Sequence, residues 1–211
     1  MTEAVKAERQ NGENMGHIYY IMGKSASGKD SVFRALAADP ELGLRTVVMY
    51  TTRPMREGEQ DGREYFFRNE EFLAAKQAEG TVIESRTYET VCGLWSYFTL
   101  DDGQIDLENH RYLMIGTPES YLATKKYFER QKKTPLSPLY IHVEDGERLI
   151  RAIGRERLQK NPNYAEICRR FLADEKDFAQ EVLDSCGIEN VYENRVLEEC
   201  ICEIKKKITE G

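Results

Sequence analysis

The chain has no apolar run near the ~20 residues that a membrane span needs, and no apolar signal-peptide core follows its N-terminus. It therefore reads as a cytoplasmic protein without a membrane partner. A basic excess is also missing. The net charge is −7, which argues against a surface that coats nucleic acid, so a polyanionic ligand must be met by a local cationic cleft. The five cysteines, Cys92, Cys168, Cys186, Cys200 and Cys202, are odd in number and contain no C-x-x-C pair. Neither a zinc site nor a disulfide framework is indicated, and reduced thiols are expected. Internal repeats and low-complexity tracts are absent too.

What is present is a globular composition: 211 residues, 40% apolar and 32% charged, enough for one α/β domain carrying small inserted lobes. Residues 1–15 are polar and aperiodic and read as a disordered extension. From His17 onward, short apolar runs alternate with helical patterns. Strands are expected at 17–22, 44–49, 81–84, 95–99, 112–116, 139–143 and 189–192. Helices are expected at 29–38, 69–78 with Asn69 as N-cap, 118–130 with Pro118 at its start, 146–160, 164–183 and from Val196 to the end. This alternation predicts a parallel sheet covered on both faces, with ligands at the carboxyl ends of the strands. The turn-rich, aromatic and charged region from Tyr50 to Asp106 breaks the rhythm and suits an inserted substrate lobe.

Two motifs carry chemistry. Behind the first strand, Gly23-Lys24-Ser25-Ala26-Ser27-Gly28-Lys29-Asp30-Ser31 leads into a helix. It follows the phosphate-binding pattern G-x-x-x-x-G-K-S/T except that Asp30 stands where a hydroxyl is expected. The glycines let the backbone wrap an anion, N–H groups at the helix start point to it, and Lys29 adds a point charge. The second motif, Thr51 to Phe67, places Arg53 and Arg56 three residues apart, fixed by Pro54 and a glycine-containing turn. Two guanidinium forks can converge there on one dianion, with the Tyr65 hydroxyl as a further donor.

This second motif resembles the guanylate kinase signature T-T-R-x-x-R-x-G-E-x-x-G-x-x-Y-x-F, met at Thr51, Thr52, Arg53, Arg56, Gly58, Glu59, Gly62, Tyr65 and Phe67. The resemblance implies a P-loop NTPase fold, a three-layer α/β/α unit with a central parallel sheet. Its core is expected at 16–49, 107–150 and 171–211, with a nucleoside monophosphate lobe at 50–106 and a helical lid at 151–170. It implies ATP-dependent phosphoryl transfer to GMP with Mg²⁺ as cofactor. ATP would be held by Gly23, Ser25, Ala26, Ser27, Gly28, Lys29, Asp30 and Ser31, with Asn194 near the adenine. The acceptor would be held by Arg53, Arg56, Glu59, Tyr65, Tyr97 and Thr99, with Glu84 reading the guanine. Lys29, Arg53, Arg151, Arg155 and Arg170 would be catalytic, the last three as lid arginines. The expected partners are these nucleotides and no nucleic acid, with the chain a monomer or homodimer.

The chain also departs from the pattern. Asp30 replaces the P-loop hydroxyl and is a candidate Mg²⁺ ligand, with Ser31 next to it. Phe98 replaces a glycine, Met49 a serine near the acceptor phosphate, and Gly116 an aspartate near the acceptor base and metal; Asp30 is a candidate for that missing carboxylate. The tract Leu100–Asp106 matches nothing in the pattern. Two other readings remain: a kinase for another nucleotide or a phosphorylated sugar, and a non-catalytic guanylate kinase-like binding module. Retention of Lys29, Arg151 and Arg155 speaks against the second.

Overall fold

A computed structural model describes residues 16–90, 93–131 and 136–210. The 1–15 segment and Cys92 lie outside the described residues. Strand β1, Ile18–Met22, is wholly buried, because hydrophobic residues fill all five positions and both faces are covered. It lies at the centre of a five-stranded parallel sheet with β2 (Leu44–Thr46), β7 (Arg111–Gly116), β8 (Leu136–His142) and β9 (Val191–Glu193), in the order β2-β7-β1-β8-β9. Alternate residues feed two cores. Tyr19 and Ile21 pack with Leu113, Ile141, Val32 and Ile204 under α1 (Lys29–Ala37) and α7 (Leu197–Glu210). Ile18, Tyr20 and Met22 pack with Met114, Tyr121 and Phe128 under α3 (Pro118–Arg130). The three-layer α/β/α arrangement is the expected one.

The second strand is shorter than expected. The pattern suggested 44–49, but pairing stops at Thr46. The Gln104 side chain then binds both the N–H and the carbonyl of Val48, at 3.0 and 3.2 Å, so the chain leaves the parallel sheet there. It enters a second sheet made of β3 (Tyr50–Thr51), β4 (Phe66–Phe67), β5 (Val82–Thr90) and β6 (Gly93–Leu100), ordered β4-β3-β6-β5. β5 and β6 form a long antiparallel ribbon, well beyond the short strands expected at 81–84 and 95–99. Tyr50, Leu73, Phe98 and Leu100 are its core, capped by α2 (Glu70–Glu79), whose Asn69 N-cap accepts from the Phe72 N–H at 3.0 Å. The tract after Leu100 joins the two sheets: Asp102 accepts from the Tyr50 hydroxyl, and Asp101 from Tyr127 on α3 at 2.7 Å.

The helix expected at 164–183 is two helices, α5 (Tyr164–Asp177) and α6 (Gln180–Ser185). Ala179 is extended at φ −58°, ψ 151°, and the break lets Phe178 turn inward to stack on Tyr140 at 5.8 Å. Preceding them, α4 (Asp145–Glu156) is shorter than the 146–160 pattern. Among the described residues, no helix is long and apolar enough to cross a membrane.

One buried cation ties α4 and α5 to the loop after β1. Arg148 is 2% exposed; it donates to Asp145 at 2.6 Å, Asp174 at 3.1 Å, Glu175 at 3.4 Å and the Ser25 carbonyl at 3.1 Å. Removing one partner of a buried pair leaves an uncompensated charge. Arg148→Met is expected to lower unfolding free energy by about 3 kcal/mol in urea titration, and Asp174→Asn in that background to recover part of the loss. Equal stability of Arg148→Met and wild type would deny the cluster a structural role.

Candidate nucleotide site

The loop after β1 closes because its backbone takes left-handed geometry twice. Ala26 sits at φ +62° and Gly28, the N-cap of α1, at φ +84°. A side chain on Gly28 would strike Asn194. Asn194 is buried and donates from Nδ2 to the Ser27 carbonyl at 2.8 Å, so it braces the loop from behind. The Ser25 N–H is bound by Asp174 at 2.8 Å, and Lys24 pairs with Glu175 at 2.6 Å. Lys29 therefore remains as the loop's free lysine, with only the largely exposed Asp30 near it at 3.5 Å.

The loop opens onto a cleft of about 840 Å³ at the carboxyl ends of β1 and β7. Of the residues singled out from sequence, Ser25, Lys29, Asp30, Arg56, Tyr65, Tyr97 and Arg170 line it. Their elements converge from both sheets and from α5. Thr51 and Thr52 anchor the arginine loop to β6, one donating to the Ser96 carbonyl at 2.9 Å and the other accepting from the Ser96 N–H at 2.8 Å. Ser96 itself was not singled out, since its role is visible only once β3 and β6 are paired.

Arg53 does not face the cleft. It is 3% exposed, donates to both Glu59 oxygens at 2.8 and 2.9 Å and to the Pro54 carbonyl at 2.8 Å, and lies 5.5 Å from the Tyr65 ring and 5.4 Å from the Phe67 ring. Glu59 also accepts from the Arg56 N–H at 2.7 Å, so the Arg53–Glu59 pair sets the loop that presents the exposed Arg56. Glu84 and Thr99 are buried as well, the hydroxyl donating to the carboxylate at 2.9 Å. Burial pushes the Glu84 carboxyl up, against the pull of Arg86.

The expected lid arginines are divided. Arg151 pairs with Glu147 at 2.8 Å and donates to the Asn194 carbonyl at 3.1 Å. Arg155 lines a smaller hollow between α4 and α5, shared with Ser25, Arg148 and Arg170. Arg170 pairs with Glu166 at 2.8 Å, and Arg169, which sequence reasoning missed, binds the same carboxylate at 2.7 and 2.9 Å. The two guanidinium groups hold Glu166 at about 2.

Arg86, Tyr88 and Trp95 also line the cleft and were likewise missed. The signal was present as alternation from Glu84 along β5, but the strand had been ended at residue 84. Gly116 is a built feature rather than a gap. A Cβ there would lie 2.6 Å from the Tyr20 hydroxyl and nearer still to Ser120, which Tyr20 hydrogen-bonds at 2.9 Å.

The Arg53 fork holds Glu59 at about 2, below the ordinary carboxylate value near 4.3. A folded-state value below the unfolded one stabilises the fold fully above about pH 4.3 and ceases to do so as pH falls through about 2. The thermal stability advantage of wild type over Glu59→Gln is expected to be constant from pH 7 to 5 and to shrink between pH 4 and 2. A pH-independent difference would mean the pair does not form.

The guanylate kinase family model matches residues 15–93. A guanylate kinase from Granulibacter bethesdensis is 42% identical over 78 residues, covering 35% of this chain and 36% of that protein. One from Hahella chejuensis is 45% identical over 114 residues, covering 50% and 54%. The matched stretches thus span about a third to a half of the length of these relatives. A crystal structure of guanylate kinase from Anaplasma phagocytophilum superposes with a TM-score of 0.63 at 18% identity, covering 93% of this chain and 86% of that one. By sequence over part of its length, and by fold over nearly all of it, the chain is similar to guanylate kinases.

Proposed function

We propose that the protein transfers the terminal phosphoryl group of ATP to a nucleoside monophosphate, with GMP as the acceptor. The observation that carries this reading is the single cleft onto which Lys29 of the phosphate loop and Arg56, Tyr65 and Tyr97 of the inserted lobe all open. A donor phosphate on the loop and an acceptor phosphate on the lobe would then face each other in one volume. In this reading residues 50–106 form the acceptor lobe and 151–170 the lid.

A monophosphate is already a strongly anionic nucleophile at neutral pH, so the transfer needs positioning and charge neutralisation more than a base. The N–H groups at the start of α1 and the Lys29 ammonium receive the donor phosphates. Arg56 and the Tyr65 hydroxyl orient the acceptor phosphate, and Arg53, locked on Glu59, holds that loop in place. Arg170 and Arg169 approach from α5, and Arg151 and Arg155 from α4, as groups able to close over the transferring charge. Arg169 and Arg170 would leave Glu166 to do so, and Arg151 would leave Glu147.

The cleft suits Mg²⁺, which commonly takes one or two protein oxygens and leaves its other positions to phosphates and water. Among the described residues no cluster of three acidic, His or Cys side chains offers a cage, but the exposed Asp30 carboxylate lines the cleft and would hold the ion, with the Ser31 hydroxyl next to it in sequence. When bound there, the ion would neutralise charge on the bridged phosphates. A cytoplasmic setting, read from the cysteine pattern, and the absence of a nucleic-acid partner, read from the acidic balance, belong to the same proposal.

Two outcomes test the reading by coupled ADP release against a panel of monophosphates. Lys29→Ala is expected to lower kcat by ~100-fold or more with the fold intact, the scale of losing one preorganised electrostatic group. Near-normal turnover would remove the loop from the mechanism. Asp30→Asn is expected to raise the Mg²⁺ concentration needed for half-maximal rate, and an unchanged metal dependence would leave Asp30 as a helix-start residue favoured by the dipole.

A further inference from the structure

The β5–β6 register stacks three cross-strand pairs along the ribbon: Glu84 with Thr99, Arg86 with Tyr97, and Tyr88 with Trp95. Glu84, Arg86 and Tyr88 are two apart and so share one face. From inside to outside this face reads carboxylate, cation, aromatic pair. Glu84 is 3% exposed and is not part of the cleft lining, whereas Arg86, Tyr88 and Trp95 are. Both Glu84 oxygens are also engaged, one accepting from Thr99 at 2.9 Å and the other facing Arg86 Nη1 at 3.5 Å.

Arg86 is far from saturated. Its contact with Glu84 is long and single-point, while Arg53 in the same lobe makes two bonds of 2.8 and 2.9 Å to Glu59. Its Nη2 reaches only the Met49 sulfur, at 3.7 Å, a weak acceptor. Its other polar neighbours are hydroxyls, that of Tyr20, itself bonded to Ser120, and those of Tyr88 and Tyr65. A guanidinium held at the cleft by a buried counter-ion, with strong donors lacking strong acceptors, is a recognition element for a pair of lone-pair atoms.

We propose that Arg86 reads the acceptor base, donating to the adjacent O6 and N7 atoms of a 6-oxopurine, while Glu84 acts behind it as counter-ion. This rests on the nucleotide kinase reading above and assigns the base contact to a donor rather than to a carboxylate. Adenine sets an amino donor beside N7, which would meet the guanidinium donor to donor. Tyr88 and Trp95 offer faces for stacking one strand repeat away, about 6.6–6.8 Å. A two-ring base spans that distance to Arg86 better than a pyrimidine. A site that reads O6 and N7 makes no use of the 2-amino group, so hypoxanthine should serve nearly as well as guanine.

The test uses the wild-type protein with ATP–Mg²⁺ and GMP, IMP, 7-deaza-GMP, AMP or CMP, so it does not depend on a variant folding. GMP and IMP are expected within ~3-fold in kcat/KM, and 7-deaza-GMP lower by ~10-fold or more, the cost of one charge-assisted hydrogen bond. Arg86→Met is expected to raise KM for GMP by ~10–100-fold with kcat little changed and to remove the 7-deaza penalty, and Arg86→Lys to restore part of the affinity. IMP at least ~30-fold poorer than GMP with 7-deaza-GMP unimpaired would overturn the proposal in favour of a carboxylate on N1–H and the 2-amino group. CMP as the best acceptor would overturn the 6-oxopurine assignment. If no monophosphate is phosphorylated, the kinase reading fails separately, and calorimetric binding of the same nucleotides decides for Arg86: the same ranking upholds it, a flat one overturns it.

Discussion

Burial of the Arg148 guanidinium is the constraint on which the rest of the site depends. One cation with 2% exposure cannot stay charged without strong acceptors around it, and the chain supplies them from three places: Asp145 on α4, Asp174 and Glu175 on α5, and the Ser25 carbonyl of the phosphate loop. The loop is thereby fixed to the two helices that carry Arg151, Arg155, Arg169 and Arg170. The same cluster selects which loop groups are free. Asp174 occupies the Ser25 N–H and Glu175 occupies Lys24, so an incoming phosphate is left the start of α1 and Lys29.

The four-stranded sheet and the loop that joins β3 to β4 show how geometry separates residues of one type. Arg53 and Arg86 are both buried arginines paired with a glutamate in the same small sheet. Arg53 has its fork filled by Glu59 and lies beside the Tyr65 and Phe67 rings, so it holds the loop that carries Arg56. Arg86 meets Glu84 at a single long contact and borders the cleft. The distances separate an arginine whose fork is filled from one with donors to spare, although residue type and burial are alike.

Much of this was legible in the sequence where local chemistry decides the outcome. The apolar β1 run, the Gly28–Lys29 turn, the Asn69 cap and the Thr117-Pro118 helix start are local signals, and the structure contains each of them. Elements set by tertiary pairing were less legible. The end of β2 depends on Gln104, more than fifty residues away, and the kink at Phe178 depends on a stacking partner in β8. Arg86 was hidden for the same reason, because β5 continues past Glu84 only by pairing with β6. Sequence named the carboxylate, and pairing revealed the arginine in front of it.

Two of the departures from the guanylate kinase pattern, Gly116 and Met49, are connected through Tyr20 and Arg86. Gly116 has no room for a side chain because Tyr20 and Ser120 fill that space. Tyr20 lies beside Arg86, Arg86 reaches Met49, and Met49 occupies another departing position. Restoring an aspartate at Gly116 would drive its Cβ into the Tyr20 hydroxyl, and restoring a serine at Met49 would remove the apolar wall against which Arg86 rests. A base pocket coupled in this way changes as a unit, since each substitution is tolerated only with its neighbours in place. The phosphate-handling groups, Lys29, Arg56 and Tyr65, lie outside that set and keep the family's identities. On the proposed reading, the groups that face a phosphate common to all nucleotides match the pattern, while the pocket proposed for the base is built around Arg86.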